Sequence, residues 1–236
     1  WQPTAVQIKA ALTPRTRAVL LASPANPTGA VIDRAELARI AALLRARGVA
    51  LIADEIYHGL IYGADTCTAL ACDADAVVVN SFSKYFGMTG WRLGWLVVPD
   101  ALLRSVEKLA QNLFIAPPTP AQYAALAAFE PATLALLDAR RDEFRARRDR
   151  LLPALRDIGF DIPVTPQGAF YLYAGCGRFA ADSFEFSLRL LDEAGVAATP
   201  GLDFGHHTAG SHLRFAYTTS AERIADAIAR LRRWLA

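Results

Sequence analysis

The stretch VVVNSFSKYFGMTGWRLGW, residues 77–95, is the part of the sequence that decides the fold. Three consecutive valines, Val77 to Val79, form a short apolar run without polar alternation, which is typical of a strand buried on both faces. Serine, lysine and arginine side chains follow this run closely. Because open α/β sheets bind ligands beyond the carboxyl ends of their strands, the stretch predicts a ligand site at the end of a parallel strand.

Two earlier segments share this design of a buried strand followed by polar residues, namely RAVLLASPANPTGAVID and GVALIADEIYHGL. Between them, DRAELARIAALLRARG has apolar residues at helical spacing, with Asp33 as the predicted N-cap and Gly48 as the predicted C-cap. Strand, helix and strand in this order predict a parallel α/β sheet. The stretch LGWLVVP predicts a further strand, which follows too closely on the third to require the same direction.

Beyond Pro99 the pattern changes to helices, with one long helical run from Pro131 to Ile158. Two short strand-like pieces, AFYLYAG and HLRFAYTTS, then alternate with further helical patterns. The sequence therefore predicts three parts: a large domain over residues 1–130, an interdomain helix over 131–158 and a small α/β domain over 159–236.

The composition argues against several classes of function. The chain has 236 residues, of which 53% are apolar, and a formal net charge of only +2, so neither nucleic acid nor a membrane surface is an expected partner. No apolar stretch reaches the roughly 18 residues that span a bilayer, and we expect a soluble, cytoplasmic protein. The three cysteines lack the spacing of zinc or thioredoxin-like sites, which predicts free thiols and no metal.

Polar residues that follow the three predicted strands are expected to face one crevice, because the carboxyl ends of parallel neighbours lie side by side. Taken singly, each residue has an ordinary alternative: NPTG can be a plain turn, Asp54 a helix cap and Lys84 a surface residue. Their joint occurrence indicates a site. The residues are Asn26, Asp54, Tyr57, Ser81, Ser83 and Lys84.

Lys84 differs from the other lysines of the chain. There are only three lysines, and Lys9 and Lys108 occupy polar positions of helical segments, where arginine would serve as well. Lys84 alone lies beyond the end of a buried strand. An amine that must lose its proton to attack a carbonyl cannot be replaced by arginine, so Lys84 is predicted to be a nucleophile that forms a Schiff base.

Pyridoxal 5′-phosphate is the cofactor that these residue types suit. Asp54 would keep the ring nitrogen of the cofactor protonated, and Asn26 and Tyr57 would contact its ring hydroxyl. A phosphate group requires hydroxyls and a forked guanidinium. These are offered by Ser81, Ser83 and Arg92.

Three motifs, SPANPTG, ADEIY and SFSKYFGMTGWRLGW, resemble in order and spacing the fold-type I pyridoxal-phosphate-dependent aminotransferases of class I/II, the aspartate aminotransferase superfamily. The resemblance implies an enzyme that moves an amino group between an amino acid and a 2-oxo acid through a Schiff base on Lys84. It implies the cofactor contacts given above, and substrate carboxylate binding by Asn26 and by Arg214 in HLRFAYTTS. It also implies a homodimer.

Members of this family carry a further stretch before NPTG that supplies sheet strands and a phosphate loop. The resemblance therefore implies that residues 1–130 are a partial large domain, and that the chain is an incomplete fragment that is inactive alone. Two alternatives stay open. One is a pyridoxal-phosphate-dependent β-lyase with the same lysine, and the other is an aminotransferase-like sensor domain of a transcriptional regulator, although such domains tend to replace GMTGWRLGW with a shorter pattern.

Overall fold

The computed structural model describes residues 1–236 and has the predicted α/β architecture. Its residues group into two compact units. The sheet unit consists of Gln2–Pro24 and Val31–Ala139, and the carboxyl-terminal unit consists of Trp1, Ala25–Ala30 and Arg140–Ala236. The three-part domain division predicted from the sequence stays a prediction.

A four-stranded sheet organises the sheet unit. Its strands, in spatial order, are β1 (Ala18–Ala22), β2 (Ala50–Asp54), β3 (Val77–Ser81) and β4 (Gly94–Val97). β2 is parallel to both β1 and β3, which confirms the predicted parallel sheet, whereas β4 is antiparallel to β3. The connection over residues 82–93 contains no α-helix that could cross a face of the sheet, so the chain turns back alongside β3.

The register of the parallel strands brings their carboxyl ends to one edge of the sheet. Asp54, the last residue of β2, pairs with Ala22 of β1 and with Val79 of β3. The peptide group of Asp54 continues the ladder, because its carbonyl oxygen accepts a hydrogen bond from the Ser23 amide at 3.2 Å. The residues that follow β1, β2 and β3 therefore leave the sheet at the same edge.

Helices α1 (Ala5–Ala11) and α2 (Arg34–Ala46) belong to this unit. Asp33 caps the amino terminus of α2, as predicted, by accepting a hydrogen bond from a first-turn amide. The other end differs by one residue from the prediction, since Arg47 is the C-cap and Gly48 follows it with φ of 62°. Glycine tolerates this left-handed conformation without steric cost, which explains the end of the helix there.

The main apolar core lies between these helices and the sheet. Ile40 and Leu44 of α2 are completely buried, and they pack in one cluster with Leu51 of β2 and Val78 of β3. Burial of such side chains is worth roughly 1.5–3 kcal/mol each. The apolar side chains at helical spacing on α2 therefore pack against those of the unbroken apolar strand segments and form a single core.

Helices α3 (Asp100–Leu113) and α4 (Thr119–Ala127) complete the sheet unit. α3 is amphipathic, yet none of its residues is buried. Leu113 at its end is 74% exposed, and Leu96 on the edge strand β4 is 51% exposed. Apolar surface of this unit is thus uncovered on α3 and on β4.

A three-stranded antiparallel sheet organises the carboxyl-terminal unit. Its strands are β5 (Tyr171–Gly175), β6 (Thr199–Pro200) and β7 (His212–Ala216), with β7 in the centre. Leu172 of β5 and Leu213 of β7 are fully buried. They anchor the sheet in the apolar core of this unit.

The remaining helices are α5 (Pro131–Ile158), α6 (Ser183–Ala194) and α7 (Ala221–Trp234). α5 has the bounds predicted from the sequence. Leu155 of α5 and Leu190 of α6 are fully buried, so both helices contribute to cores. None of the helices combines the length and the apolar character that crossing a membrane requires.

Replacement of Leu44 by alanine is expected to lower the free energy of unfolding by about 2–5 kcal/mol, because the truncation leaves a cavity in a fully buried position. Denaturant unfolding followed by circular dichroism measures this loss. Leu109→Ala is the matched control, since Leu109 on α3 is 60% exposed. The control should change stability by less than about 0.5 kcal/mol, and equal losses in the two variants would contradict the described core.

Candidate active site

Asp54 begins a turn and does not cap a helix. Its Oδ1 atom accepts a hydrogen bond from the Ile56 amide at 3.0 Å, and residues 56–59 form turns instead of the helix considered from the sequence. Gly59 has φ of 91°, and a Cβ atom there would lie 2.5 Å from Cγ of Tyr85. The positive φ and the close approach of the Tyr85 ring both explain why the segment does not continue as a helix.

Lys84 lies beside the turn that follows β2. Its Nζ atom is 5.7 Å from the centroid of the Tyr57 ring, and Tyr57 itself is buried. Lys84 as a whole is half-buried. The structure therefore brings together Lys84, which follows β3, and Tyr57, which follows β2, as the parallel arrangement predicted.

The loop that carries Lys84 is held by hydrogen bonds to its own backbone. The Ser81 hydroxyl donates to the Leu93 carbonyl at 3.2 Å and accepts from the Ser83 amide at 3.0 Å. The Thr89 hydroxyl donates to the Ser83 carbonyl at 2.6 Å. Ser81 therefore shapes the loop through its hydroxyl, which is a role that its motif alone did not indicate.

Arg92 is exposed and adopts a left-handed conformation, with φ of 54°. Its Nη1 atom donates a hydrogen bond to the Thr89 carbonyl at 2.9 Å. A guanidinium has five N–H donors, so this contact leaves donors on Arg92 for an anion. The predicted phosphate contact of Arg92 stays a prediction.

A buried glutamate next to Asp54 was not singled out from the sequence. Glu55 is only 5% exposed, and its Oε1 atom accepts hydrogen bonds from the Thr68 hydroxyl at 3.0 Å and from the Ala69 amide at 2.7 Å. Its Oε2 atom lies 3.2 Å from Nδ1 of His58. These hydrogen bonds connect the turn after Asp54 to the segment at Thr68 and Ala69. The only signal in the sequence was a second acid at the end of an apolar strand.

Arg214 on β7 forms the centre of a polar cluster in the carboxyl-terminal unit. Its Nη1 donates to Oδ1 of Asn26 at 2.8 Å, and its Nη2 donates to the Thr199 hydroxyl at 3.2 Å. Its guanidinium carbon lies 4.3 Å from the centroid of the Tyr171 ring and 4.6 Å from that of the Phe204 ring. The buried Nε atom has no hydrogen-bond partner, although such groups are normally satisfied. The two terminal nitrogens use only two of the five N–H donors of the guanidinium, so they retain donors for an anionic oxygen.

The NPTG loop places Asn26 next to Arg214 by a close backbone approach. Gly29 has φ of 65°, and a Cβ atom there would lie 2.6 Å from the Pro166 Cβ and 2.7 Å from the Gly168 carbonyl oxygen. The Gly29 carbonyl also accepts hydrogen bonds from the Gln167 and Gly168 amides, both at 3.0 Å. The glycine of NPTG is thus required by its packing against PQG.

These donors fit pyridoxal phosphate by their chemistry. An acid for the ring nitrogen, an amine for the aldehyde, a phenol for the ring hydroxyl, and hydroxyls with a guanidinium for the phosphate are all present in the sheet unit. The remaining N–H donors of the Arg214 guanidinium, in the other unit, fit a carboxylate. No group of three or more metal-binding side chains is arranged to hold a metal ion.

Comparison with known proteins identifies the family. A model of the family "Aminotransferase class I and II" matches residues 1–231. The chain belongs to this family. The match includes all eight predicted site residues, whose individual roles stay predictions, and it confirms the resemblance seen in the three motifs. The family also implies pyridoxal 5′-phosphate as the cofactor.

Individual aminotransferases align with almost the whole chain. Valine–pyruvate aminotransferase of Mycobacterium tuberculosis is 47% identical over 237 residues, which cover 100% of this chain and 61% of that protein. Aspartate/prephenate aminotransferase of Thermus thermophilus is 36% identical, over 99% of this chain and 60% of its own length. The chain thus spans about three fifths of the length of these relatives.

Solved structures confirm the fold class. A crystal structure of an aminotransferase from Mycobacterium tuberculosis aligns with a TM-score of 0.95 and 47% identity, over 99% of this chain and 61% of that one. Thermus thermophilus aspartate aminotransferase with maleate aligns with a TM-score of 0.92 and 35% identity, over 98% of this chain and 60% of that one. The α/β fold is that of the fold-type I aminotransferases.

Protonation of His58 is expected to destabilise the fold. Burial lowers the pKa of its imidazole below the ordinary 6.5, against the opposing effects of Glu55 and of a backbone hydrogen bond with Ser23. The unfolded chain binds this proton more readily, so the stabilisation is complete above pH 6.5 and is lost as the pH falls toward the lower folded pKa. Denaturant unfolding between about pH 7.5 and 5.5 measures it. The variant His58→Gln should lack this component, and an unchanged pH dependence in the variant would contradict the assignment.

Proposed function

We propose that the chain carries the cofactor lysine and the carboxylate receptor of an aminotransferase that moves an amino group between an amino acid and a 2-oxo acid. The observation that supports this proposal most directly is the position of Lys84. Its amine lies over the ring of Tyr57, which follows the strand ending at Asp54. A lysine, a phenol and a carboxylate on adjoining strand ends are the groups that pyridoxal phosphate chemistry requires.

When bound, pyridoxal phosphate supplies an electron-withdrawing ring that makes the Cα proton of an amino acid acidic. In the sheet unit, Asp54 would hold the ring nitrogen in its protonated form, and the Tyr57 hydroxyl would contact the ring hydroxyl. Hydroxyl and guanidinium donors would hold the phosphate. We assign them to Ser81, Ser83 and Arg92, and Ser81 would turn its single O–H from the Leu93 carbonyl to the phosphate.

Lys84 is proposed to move the proton at the substrate Cα. Its neutral amine would take this proton as a general base, and the resulting ammonium would deliver it as a general acid to the C4′ carbon of the cofactor instead of back to Cα. Lysine suits both steps because its amine can exist in either protonation state, whereas an arginine stays charged. The hydrogen bond from the Thr89 hydroxyl to the Ser83 carbonyl, directly before Lys84, would keep the amine of Lys84 in position during both steps.

The α-carboxylate of the substrate is proposed to bind Arg214. The guanidinium already contacts Asn26 and Thr199, and the remaining N–H groups of its two terminal nitrogens can donate to an incoming carboxylate. In this proposal Asn26 keeps both of its predicted contacts, one with the substrate carboxylate and one with the ring hydroxyl of the cofactor. A carboxylate receptor of this kind accepts any α-amino acid or 2-oxo acid.

The proposal does not specify which side chain the substrate amino acid carries. The two aligned relatives are named for different substrates, valine with pyruvate in one and aspartate or prephenate in the other. Both pairs share the amino acid and 2-oxo acid chemistry that Arg214 would recognise. The homodimer expected from the resemblance likewise remains a proposal for the assembly.

Borohydride reduction in the presence of pyridoxal phosphate is expected to leave a stable covalent bond between the cofactor and Nζ of Lys84. Peptide mass spectrometry locates the added group. Lys9 and Lys108 serve as internal controls, since they are the only other lysines and neither lies at a strand end. The variant Lys84→Arg should lose the label on this peptide, whereas equal labelling of all three lysines would refute the assignment.

Arg214→Lys is expected to weaken the binding of pyruvate, which we choose as a simple 2-oxo acid. Loss of a forked, charge-assisted contact costs about 1.5–3 kcal/mol, so the dissociation constant should rise roughly tenfold to a hundredfold. Titration followed by NMR measures this constant. Arg232→Lys on the exposed face of α7 makes the same chemical change and should leave it unaltered. Equal constants in the two variants would exclude Arg214 as the receptor.

A further inference from the structure

Cys67 and Cys72 form a close pair of thiols that the sequence spacing did not predict. Their Sγ atoms lie 3.7 Å apart, and both residues are half-buried free cysteines. They flank the 3-10 turn Ala69–Ala71, for which Thr68 is the N-cap and Cys72 is the C-cap. The turn brings two cysteines that are five positions apart into contact, and this separation is not a zinc or thioredoxin-like spacing.

We propose that Cys67 and Cys72 are a redox-active dithiol, which a small-molecule disulfide such as oxidised glutathione converts into an intramolecular disulfide. The bond length of a disulfide is about 2.05 Å, so the two sulfur atoms must approach each other by roughly 1.7 Å. Rotation of two half-buried side chains supplies a movement of this size. The proposal concerns a modification site and does not depend on the aminotransferase activity.

The reaction consists of two successive thiol–disulfide exchanges. One cysteine loses its proton to water, and its thiolate attacks a sulfur of oxidised glutathione, which forms a mixed disulfide and releases one glutathione thiolate. The second cysteine loses its proton, and its thiolate attacks the cysteine sulfur of this mixed disulfide, which releases the second glutathione. The two protein thiols lose two electrons in total, and oxidised glutathione gains them as two glutathione thiols.

The surroundings of Cys72 control the rate of this exchange. Burial and the hydrogen bond with Cys67 raise the pKa of the Cys72 thiol, the charges of Cys67 and Asp73 act in the same direction, and Arg34 opposes them. Arg45 also faces this position, since its Nη2 donates to the Cys72 carbonyl at 2.8 Å and lies 3.1 Å from the Asp73 carboxylate. The thiolate fraction therefore grows as the pH rises above neutrality, and oxidation should accelerate in the same direction.

The third cysteine provides an internal control. Cys176, at the end of β5, is completely buried, and burial raises the pKa of its thiol to about 11. A thiol that is both inaccessible and protonated exchanges slowly. Oxidation of the folded protein should therefore discriminate between Cys176 and the other two cysteines.

The turn between the two cysteines also supports the candidate active site. The Thr68 hydroxyl and the Ala69 amide are the groups that hold the Glu55 carboxylate. Glu55 in turn follows Asp54 directly. A disulfide from Cys67 to Cys72 would close a covalent ring that contains Thr68 and Ala69, the two hydrogen-bond donors to Glu55. Oxidation of the two cysteines would therefore constrain the segment that holds Glu55.

The test is a peptide map of the folded protein after incubation with oxidised glutathione. Remaining thiols are alkylated in denaturant, and the protein is digested with trypsin. Cys67 and Cys72 lie in one tryptic peptide, residues 48–84, because no arginine or lysine separates them. This peptide is expected to have lost two hydrogen atoms and to carry neither alkyl group nor glutathione, whereas the peptide with Cys176 is alkylated. The peptide should react at least about tenfold faster than Cys176.

Two results would overturn the proposal. One is alkylation of both Cys67 and Cys72 at exposures to oxidised glutathione that modify Cys176, and the other is a peptide that carries glutathione adducts without ring closure. The variant Cys72→Ser serves as a further check, since it should retain a glutathione adduct on Cys67 that the natural pair resolves. Cys176→Ser should leave ring closure unchanged. The main measurement uses the natural sequence, so it does not require either variant to fold.

Discussion

Parallel pairing of β2 with a strand on each side is the constraint on which the candidate site depends. Parallel strands point the same way, so the chain leaves each of them at the same edge, and Asp54 is held there by its pairing with Ala22 and Val79. The loop with Lys84 starts at that edge as well, because β3 ends at Ser81. A shift of one residue in this register would turn Asp54 to the other face of the sheet.

Two adjacent acids at the end of β2 have different environments. Asp54 ends the strand and Glu55 is the first residue after it, and the two carboxylates accept hydrogen bonds from different segments. Glu55 is buried, and its hydrogen bonds with the Thr68 hydroxyl and the Ala69 amide offset the cost of removing a carboxylate from water. Asp54 is half-buried and uses one oxygen for the Ile56 amide. Glu55 thus stabilises the turn by its hydrogen bonds, and Asp54 has a second carboxylate oxygen that a ligand could contact.

The features that the sequence predicted are those that depend on local pattern. The valine run of β3, the helix with Asp33 as its N-cap and the long helix from Pro131 follow from periodicity and capping, and the motifs led to the family. The features that it missed depend on which distant segments meet. The contact of Glu55 with the segment at Thr68 is of this kind, because no spacing rule relates the two positions.

Local geometry also limited the predictions. The spacing of Cys67 and Cys72 is not that of a zinc or thioredoxin-like motif, and the 3-10 turn between them brings the sulfur atoms together. The helix considered after Asp54 fails for a related reason. Gly59 has a positive φ that a regular helix does not contain, and the ring of Tyr85 from the next loop excludes a side chain at this position. Neither effect is visible in hydrophobic periodicity.

The position of Arg214 over two aromatic rings has an entropic consequence. A free arginine side chain samples many rotamers, and immobilising it on ligand binding costs up to about 2 kcal/mol. Tyr171 and Phe204 restrict the guanidinium before any carboxylate arrives, and Asn26 and Thr199 orient it within its plane. This cost is therefore met during folding, and more of the electrostatic attraction is retained as affinity.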